Sequence, residues 1–239
     1  MSSEHGFSYG KLVQRLENFN GILRNSVVSF DIDQVEVDSA STAIHEINRR
    51  LNAEYRVTDL TTYWELVEIL KRDHNEIEEP ASFAIGIWND PEVIGKALPV
   101  SGSIILSRYL FDEGISAYRI TSRPASLRDT TLIWYKKSMP WVSSDSIHIQ
   151  PDGSEIKPDF KVAEIGKLEV DFHFEDSWEH AEEIVAKTNA IVILIPQPWN
   201  RSYVPEVRSK IITIPDSKYQ TLPKLIRAYI HLSDLFKNS

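Results

Sequence analysis

The chain reads as an α/β protein: a Rossmann-like core with a central parallel sheet flanked by helices, interrupted after its first strand by an inserted all-helical cap. Three observations predict this. From Ile115 onward, short apolar strands alternate with helical stretches, the pattern of a parallel sheet covered on both faces. From Ser39 to Glu113 the apolar spacing is helical almost throughout. One strand-like run, Val27 to Asp33, stands before that block and completes the sheet.

Taken in order, residues 1–25 form an N-terminal helical segment, with Leu12, Leu16, Phe19 and Leu23 at helical spacing between Phe7 and Leu23. The core comprises 26–38 and 114–239, and the cap 39–113. Within the cap, Ile44, Ile47 and Leu51 mark one helical face and Leu66, Val67 and Leu70 another. Asp90-Pro91 reads as a helix cap followed by a first-turn proline. Trp64, Trp88, Tyr63 and Tyr109 read as cap core. Gly114 closes the block where a left-handed residue is wanted.

The later strands are Ala117 to Thr121, Ser146 to Ile149, Val170 to Asp176, Ala190 to Pro196 and Lys210 to Pro215. Helices fall between several of them, near Leu127 to Lys137, Phe160 to Leu168 and Ser177 to Lys187, with a last one near Leu222 to Phe236.

Composition narrows the function. A chain of 239 residues, 42% hydrophobic and 26% charged, is long enough for one sizeable α/β domain with an insertion. Its longest apolar run, Ala190 to Pro196, falls far short of the roughly 18 to 20 residues that span a bilayer, so no membrane partner is expected. The first residues lack a basic region followed by an apolar one, and there is no cysteine; both fit a cytoplasmic protein. The absence of cysteine also excludes thiol catalysis and cysteine-bound zinc. A formal charge of −9 argues against coating nucleic acid, while leaving room for a local pocket that holds one small anion. The seven histidines show no zinc spacing, and neither a P-loop nor a G-x-S-x-G turn is present.

In parallel sheets ligands sit at the carboxyl ends of strands, so the closing residues carry the argument. The first strand closes on Asp31-Ile32-Asp33, the second on Thr121-Ser122-Arg123, and the fourth on Glu175-Asp176-Ser177. Lys161 opens the helix that leads into that fourth strand, with Lys157 as its nearest rival. Burying carboxylates is costly without a cation. Mg2+ takes hard oxygen ligands, and Asp31 with Asp176 supplies carboxylates for it. An aspartate beside such a cation can attack phosphorus, and Asp33, two residues along, is placed for proton transfer. Thr121, Ser122 and Lys161 offer hydroxyl, backbone N–H and ammonium donors to phosphoryl oxygens. Arg123 and Arg128 are further candidates for phosphate or else surface residues at a helix start, and Trp199, Asn200 and Arg201 either line the substrate mouth or form a packed loop.

DIDxxxxDS, ITSRP, FKVAEIGKLEVDFHFEDS and IPQPWNR, in that order, resemble the four motifs of the haloacid dehalogenase superfamily of Mg2+-dependent phosphohydrolases. More narrowly, they resemble its 5'-nucleotidase/deoxyribonucleotidase-like branch, with a helical cap after the first strand. The resemblance implies Asp31 as nucleophile, Asp33 as acid/base, Thr121 as the second-motif hydroxyl and Lys161 as the third-motif lysine. It implies Asp31, Asp33 (through its backbone carbonyl), Glu175 and Asp176 around the metal. The expected activity is hydrolysis of a nucleotide or other small phosphorylated metabolite.

Two departures stand in the first motif: Gln34 occupies the position where a glycine is expected, and Glu36 one where an apolar residue is common. They bear on turnover more than on fold. A second reading is therefore a binding or scaffold protein that kept the fold and lost catalysis. A third, a phosphatase of nucleic-acid ends, is disfavoured by the acidic charge balance.

Overall fold

The computed structural model describes residues 25–62, 64–151, 158–204, 210–214 and 224–236. The N-terminal helix expected up to Leu23, Tyr63, Lys157 and the Pro215 end of the last strand lie outside them.

Six strands form one parallel sheet in the order β5-β4-β1-β6-β7-β8. They are β1 (Val28–Phe30), β4 (Ala117–Thr121), β5 (Ile147–Ile149), β6 (Phe172–Glu175), β7 (Ile191–Leu194) and β8 (Ile211–Thr213). β1 is central and buried on both faces, with Val28 and Phe30 on one and Ser29 on the other, and it pairs with β4 on one side and β6 on the other. The ladder continues one step past β1, where the Asp31 amide donates to the Phe174 carbonyl at 2.8 Å. Each expected strand is present, trimmed by a residue or more at most ends.

The insertion holds α1 (Ser39–Leu51), α2 (Glu65–Asp73), α3 (Pro80–Trp88) and α4 (Pro91–Ile94), followed by α5 (Ser103–Asp112). Asp90 caps α4 as its sequence suggests, accepting from the Glu92 amide at 2.9 Å. The block is not wholly helical: β3 (Leu98–Pro99) pairs antiparallel with β2 (Val37–Asp38), making a ribbon where the chain enters and leaves the insertion. The core helices are α6 (Arg128–Ser138), α7 (Pro158–Lys167), α8 (Trp178–Lys187) and α9 (Lys224–Phe236).

Packing separates two bodies. One face of the sheet buries Val28, Phe30, Phe172 and Phe174 against Leu106 and Leu110 of α5 and Leu225 and Tyr229 of α9. The other packs Ile120, Val192 and Leu194 against Ile165 of α7 and Ile184 of α8. The insertion has its own cluster, with Ile44, Ile47, Leu66, Leu70 and Ile87 at its centre. α5, grouped with the cap by its helical pattern, therefore packs on the sheet. Tyr109 goes with it, meeting Tyr229 edge-on at 6.1 Å, and Trp64 is 58% exposed; neither is cap core. Gly114 takes φ 68, the left-handed conformation expected after α5.

Candidate active site

Parallel pairing of β4, β1 and β6 brings their carboxyl ends to one edge, and the candidate residues converge there. Asp31 follows β1, Thr121 ends β4, and Glu175 ends β6. Asp176 follows at once, and Ser177 caps α8 by accepting from the His180 amide at 3.3 Å. Asp31, Glu175 and Asp176 each place a carboxylate oxygen within 4.8 Å of the others, and all three are buried.

Lys161, from α7, is the cation among them. Its Nζ lies 3.0 Å from Asp31 Oδ1, 2.7 Å from Glu175 Oε2 and 3.3 Å from His180 Nδ1. Burial opposes its charge, but Asp31 and Glu175 outweigh that and hold the ammonium well above the ordinary lysine range. Glu175 resists burial too: Lys161 and the neighbouring imidazoles keep it well below the usual carboxylate range. Its Oε1 accepts from the Asp176 and Ser177 amides, both at 3.1 Å, while Oε2 takes Lys161 and faces His173 Nε2 at 3.3 Å. With both oxygens so engaged, Glu175 anchors Lys161 and the Asp176 backbone.

Behind it, burial keeps His173 neutral by lowering its pKa. Since an ionised Glu175 only accepts, His173 carries its proton on Nε2, and its Nδ1, 2.7 Å from Ser29 Oγ, accepts the serine's hydrogen.

The other two acids carry the strain of this crowding. Burial, Glu175 and Asp33 push Asp31 up to about 7, although Lys161 pulls the other way. Asp176 is raised well above the ordinary range, chiefly by burial and then by Glu175 and Asp31. Three buried carboxylates facing one ammonium are a set of hard oxygens short of positive charge, which suits a divalent cation such as Mg2+.

Asp33 is placed differently. Arg123 grips its carboxylate with two bonds, Nε to Oδ2 at 2.9 Å and Nη2 to Oδ1 at 2.6 Å. Against the penalty of burial, this guanidinium lowers the Asp33 pKa. Arg123 Nη1 donates to Thr131 Oγ1 at 3.0 Å, and its amide donates to Thr121 Oγ1 at 3.2 Å. Each of the three guanidinium nitrogens thus has a protein partner. Thr121 is buried, and Ser122 Oγ is buried with no hydrogen-bond partner. Arg128 is exposed at the start of α6.

The first-motif departures are both accommodated. Gln34 adopts φ 60, the left-handed conformation that a glycine would take freely. Its side chain offsets that strain by donating to Ser39 Oγ at 2.6 Å, and its carbonyl accepts from Gln197 Nε2 at 3.1 Å. Glu36 turns away from the site into a buried pair with Arg119, at 2.8 and 3.0 Å, and accepts from the Tyr135 hydroxyl at 2.6 Å. Gln34→Gly should therefore change stability by no more than about 1 kcal/mol, because relief of strain and loss of a hydrogen bond nearly cancel. Urea unfolding of the two proteins checks this.

Trp199 and Asn200, open in the sequence as substrate-mouth residues or as part of a packed loop, are buried. The Trp199 indole N–H donates to the Asp176 carbonyl at 3.2 Å while its ring packs in the cap cluster. Asn200 Nδ2 donates to the same carbonyl and to that of Ile195, both at 2.8 Å. Both residues hold the Asp176 turn. Arg201 is exposed. A flat aromatic surface is offered instead by Trp178, two residues past Asp176, stacked on Tyr203 at 5.3 Å and 36% exposed.

His173, Ser39, Thr131 and Gln197 escaped the sequence reading. A signal existed for His173, since strand period puts it on the same face as Glu175 in FHFE. The other three depend on where the insertion, α6 and the loop after β7 come to rest.

The six-stranded parallel sheet with its insertion after β1 is a fold shared with solved structures of haloacid dehalogenase-like hydrolases. A haloacid dehalogenase-like family protein from Streptococcus pneumoniae matches with a TM-score of 0.54 at 14% identity, over 83% of this chain and 98% of that one. A HAD hydrolase of family IA, variant 3, from Entamoeba histolytica gives 0.52 at 16% identity, over 86% and 99%. A HAD family hydrolase from Deinococcus radiodurans R1, solved with bound phosphate and sodium, gives 0.52 at 14%, over 74% and 85%. At these identities the likeness is one of fold. No protein-family model and no curated protein sequence matches the chain. Among the described residues no helix is long and apolar enough to cross a membrane.

Proposed function

We propose that the protein is a Mg2+-dependent phosphomonoesterase of the cytoplasm, working through an aspartyl-phosphate on a small phosphorylated metabolite. The observation that carries this reading is the convergence of Asp31, Lys161, Glu175 and Asp176 on one buried spot. Asp31 and Asp176 would hold the ion with side-chain oxygens and Asp33 with its backbone carbonyl. The ion, when bound, would neutralise charge on the phosphoryl oxygens.

The chain's own residues then have defined work. An Asp31 oxygen attacks phosphorus, the bond to the ester oxygen breaks, and that oxygen leaves with the electron pair and the proton of Asp33 in its acid form, which the next step restores. Water next attacks phosphorus and gives a proton to Asp33, and the Asp31–phosphorus link breaks to release inorganic phosphate. Lys161 holds Asp31 in line and offers charge to the phosphoryl group, and the Thr121 and Ser122 hydroxyls offer hydrogen bonds. A nucleotide is the favoured substrate within this class, with Trp178 as a stacking face for its base.

The test is phosphate release from p-nitrophenyl phosphate and from nucleoside monophosphates. Activity should vanish in EDTA and return with Mg2+. Mg2+ binding without any phosphate release would instead favour the scaffold reading.

A further inference from the structure

Arg123 sits where the strand ends suggested a phosphate ligand, yet its guanidinium is committed elsewhere. Nε and Nη2 hold both Asp33 oxygens, Nη1 is tied to Thr131 on α6, and the backbone amide is pinned by Thr121. Thr131 is fully buried, so the guanidinium is fixed from behind. Asp33 hangs from it. Its side chain is 26% exposed, against 7% for Asp31, and it lies beside the left-handed turn at Gln34. The Ser39 hydroxyl, from the first residue of the insertion, also bonds to this carboxylate.

We propose that Arg123 is a positioning residue that orients Asp33 for the water-activating half of the reaction, rather than a ligand for the substrate's phosphate. This rests on the phosphatase reading above. A carboxylate held by a two-pronged guanidinium keeps acceptor capacity on each oxygen, so it can still take a proton from water, and its direction is set. The guanidinium also makes it a weaker base. Orientation outweighs that loss, because misplacing a reacting group by about 1 Å costs on the order of 100-fold in rate, and a well-placed base contributes roughly 100- to 10,000-fold. In the step served, a water O–H breaks, the oxygen bonds to phosphorus, the proton goes to Asp33, and the phosphorus–Asp31 bond breaks.

The two roles for Arg123 separate in pre-steady-state kinetics with p-nitrophenyl phosphate and Mg2+. Arg123→Met should lower kcat by about 10- to 100-fold, leave the initial burst of nitrophenol within about threefold of wild type, and accumulate phosphorylated enzyme in acid-quenched samples. Inhibition by inorganic phosphate should be unchanged. Arg123→Lys should behave like the methionine variant, because an ammonium cannot grip both oxygens. Thr131→Val, which only loosens the guanidinium, should show a smaller effect of the same kind and serves if Arg123 variants fail to fold. A parallel fall of burst and kcat, or a tenfold or greater loss of phosphate inhibition, would overturn the assignment and return Arg123 to phosphate binding. Wild-type enzyme that never becomes phosphorylated would sink the phosphatase reading itself, and this inference with it.

Discussion

Asp31→Asn should be inactive and, in EDTA at pH 8, more stable than the wild type. The loss of activity follows from removing the nucleophile: phosphate release should fall by at least about 1,000-fold, as when an attacking group is deleted elsewhere. The gain in stability follows from the crowding of acids. Asp31 has a pKa raised to about 7 by burial and by Glu175 and Asp33. A group whose folded pKa lies above its unfolded value contributes stability that is complete below the unfolded value and is lost as pH rises through the folded one. For Asp31 that window runs from the ordinary aspartate range to about 7. An asparagine has no proton to lose there. Thermal unfolding in EDTA should therefore show the variant ahead by up to about 4 kcal/mol at pH 8 and level with wild type near pH 4. Mg2+ should reverse the order at pH 8 by stabilising the wild type alone. A variant that is less stable than wild type at every pH would mean that the acids are not in conflict.

Lys161→Met should have the largest effect on folding. Its ammonium is the close counter-charge to Asp31 and Glu175, and removing one partner of a buried ionic cluster typically costs about 3–5 kcal/mol. The sign with pH is again set by raised acid pKa values, now raised further for want of a cation. The variant should be nearest to wild type at pH 5 and fall behind as pH rises to 8, in urea unfolding at the two pH values. Adding Mg2+ at pH 8 should recover part of the loss without restoring turnover. Equal destabilisation at both pH values would indicate a packing defect instead.

Much of this arrangement was legible in the chain. Alternating apolar strands and helices are enough to predict a parallel sheet, and the rule that ligands gather at strand carboxyl ends singles out Asp31, Thr121 and Asp176. Lys161 was legible by its place before the fourth strand. What could not be read depends on contacts across the chain. Arg123 looks like any arginine at a helix start until α6 brings Thr131 behind it. Trp199 follows a proline in a loop, a context that suits an exposed mouth, and its burial is decided by cap residues far earlier in the chain. Glu36 reads as one more negative charge in the first motif because its partners, Arg119 and Tyr135, lie 83 and 99 residues away.

The indole of Trp199 is seated in the helical insertion while its N–H grips the backbone of the Asp176 turn in the core. It works as a dowel driven through two plates. Any tilt of the upper plate large enough to admit a bulky molecule must drag that turn or withdraw the dowel. Trp199→Phe, which keeps an aromatic ring and removes the N–H, should therefore loosen the Asp176 turn from the insertion.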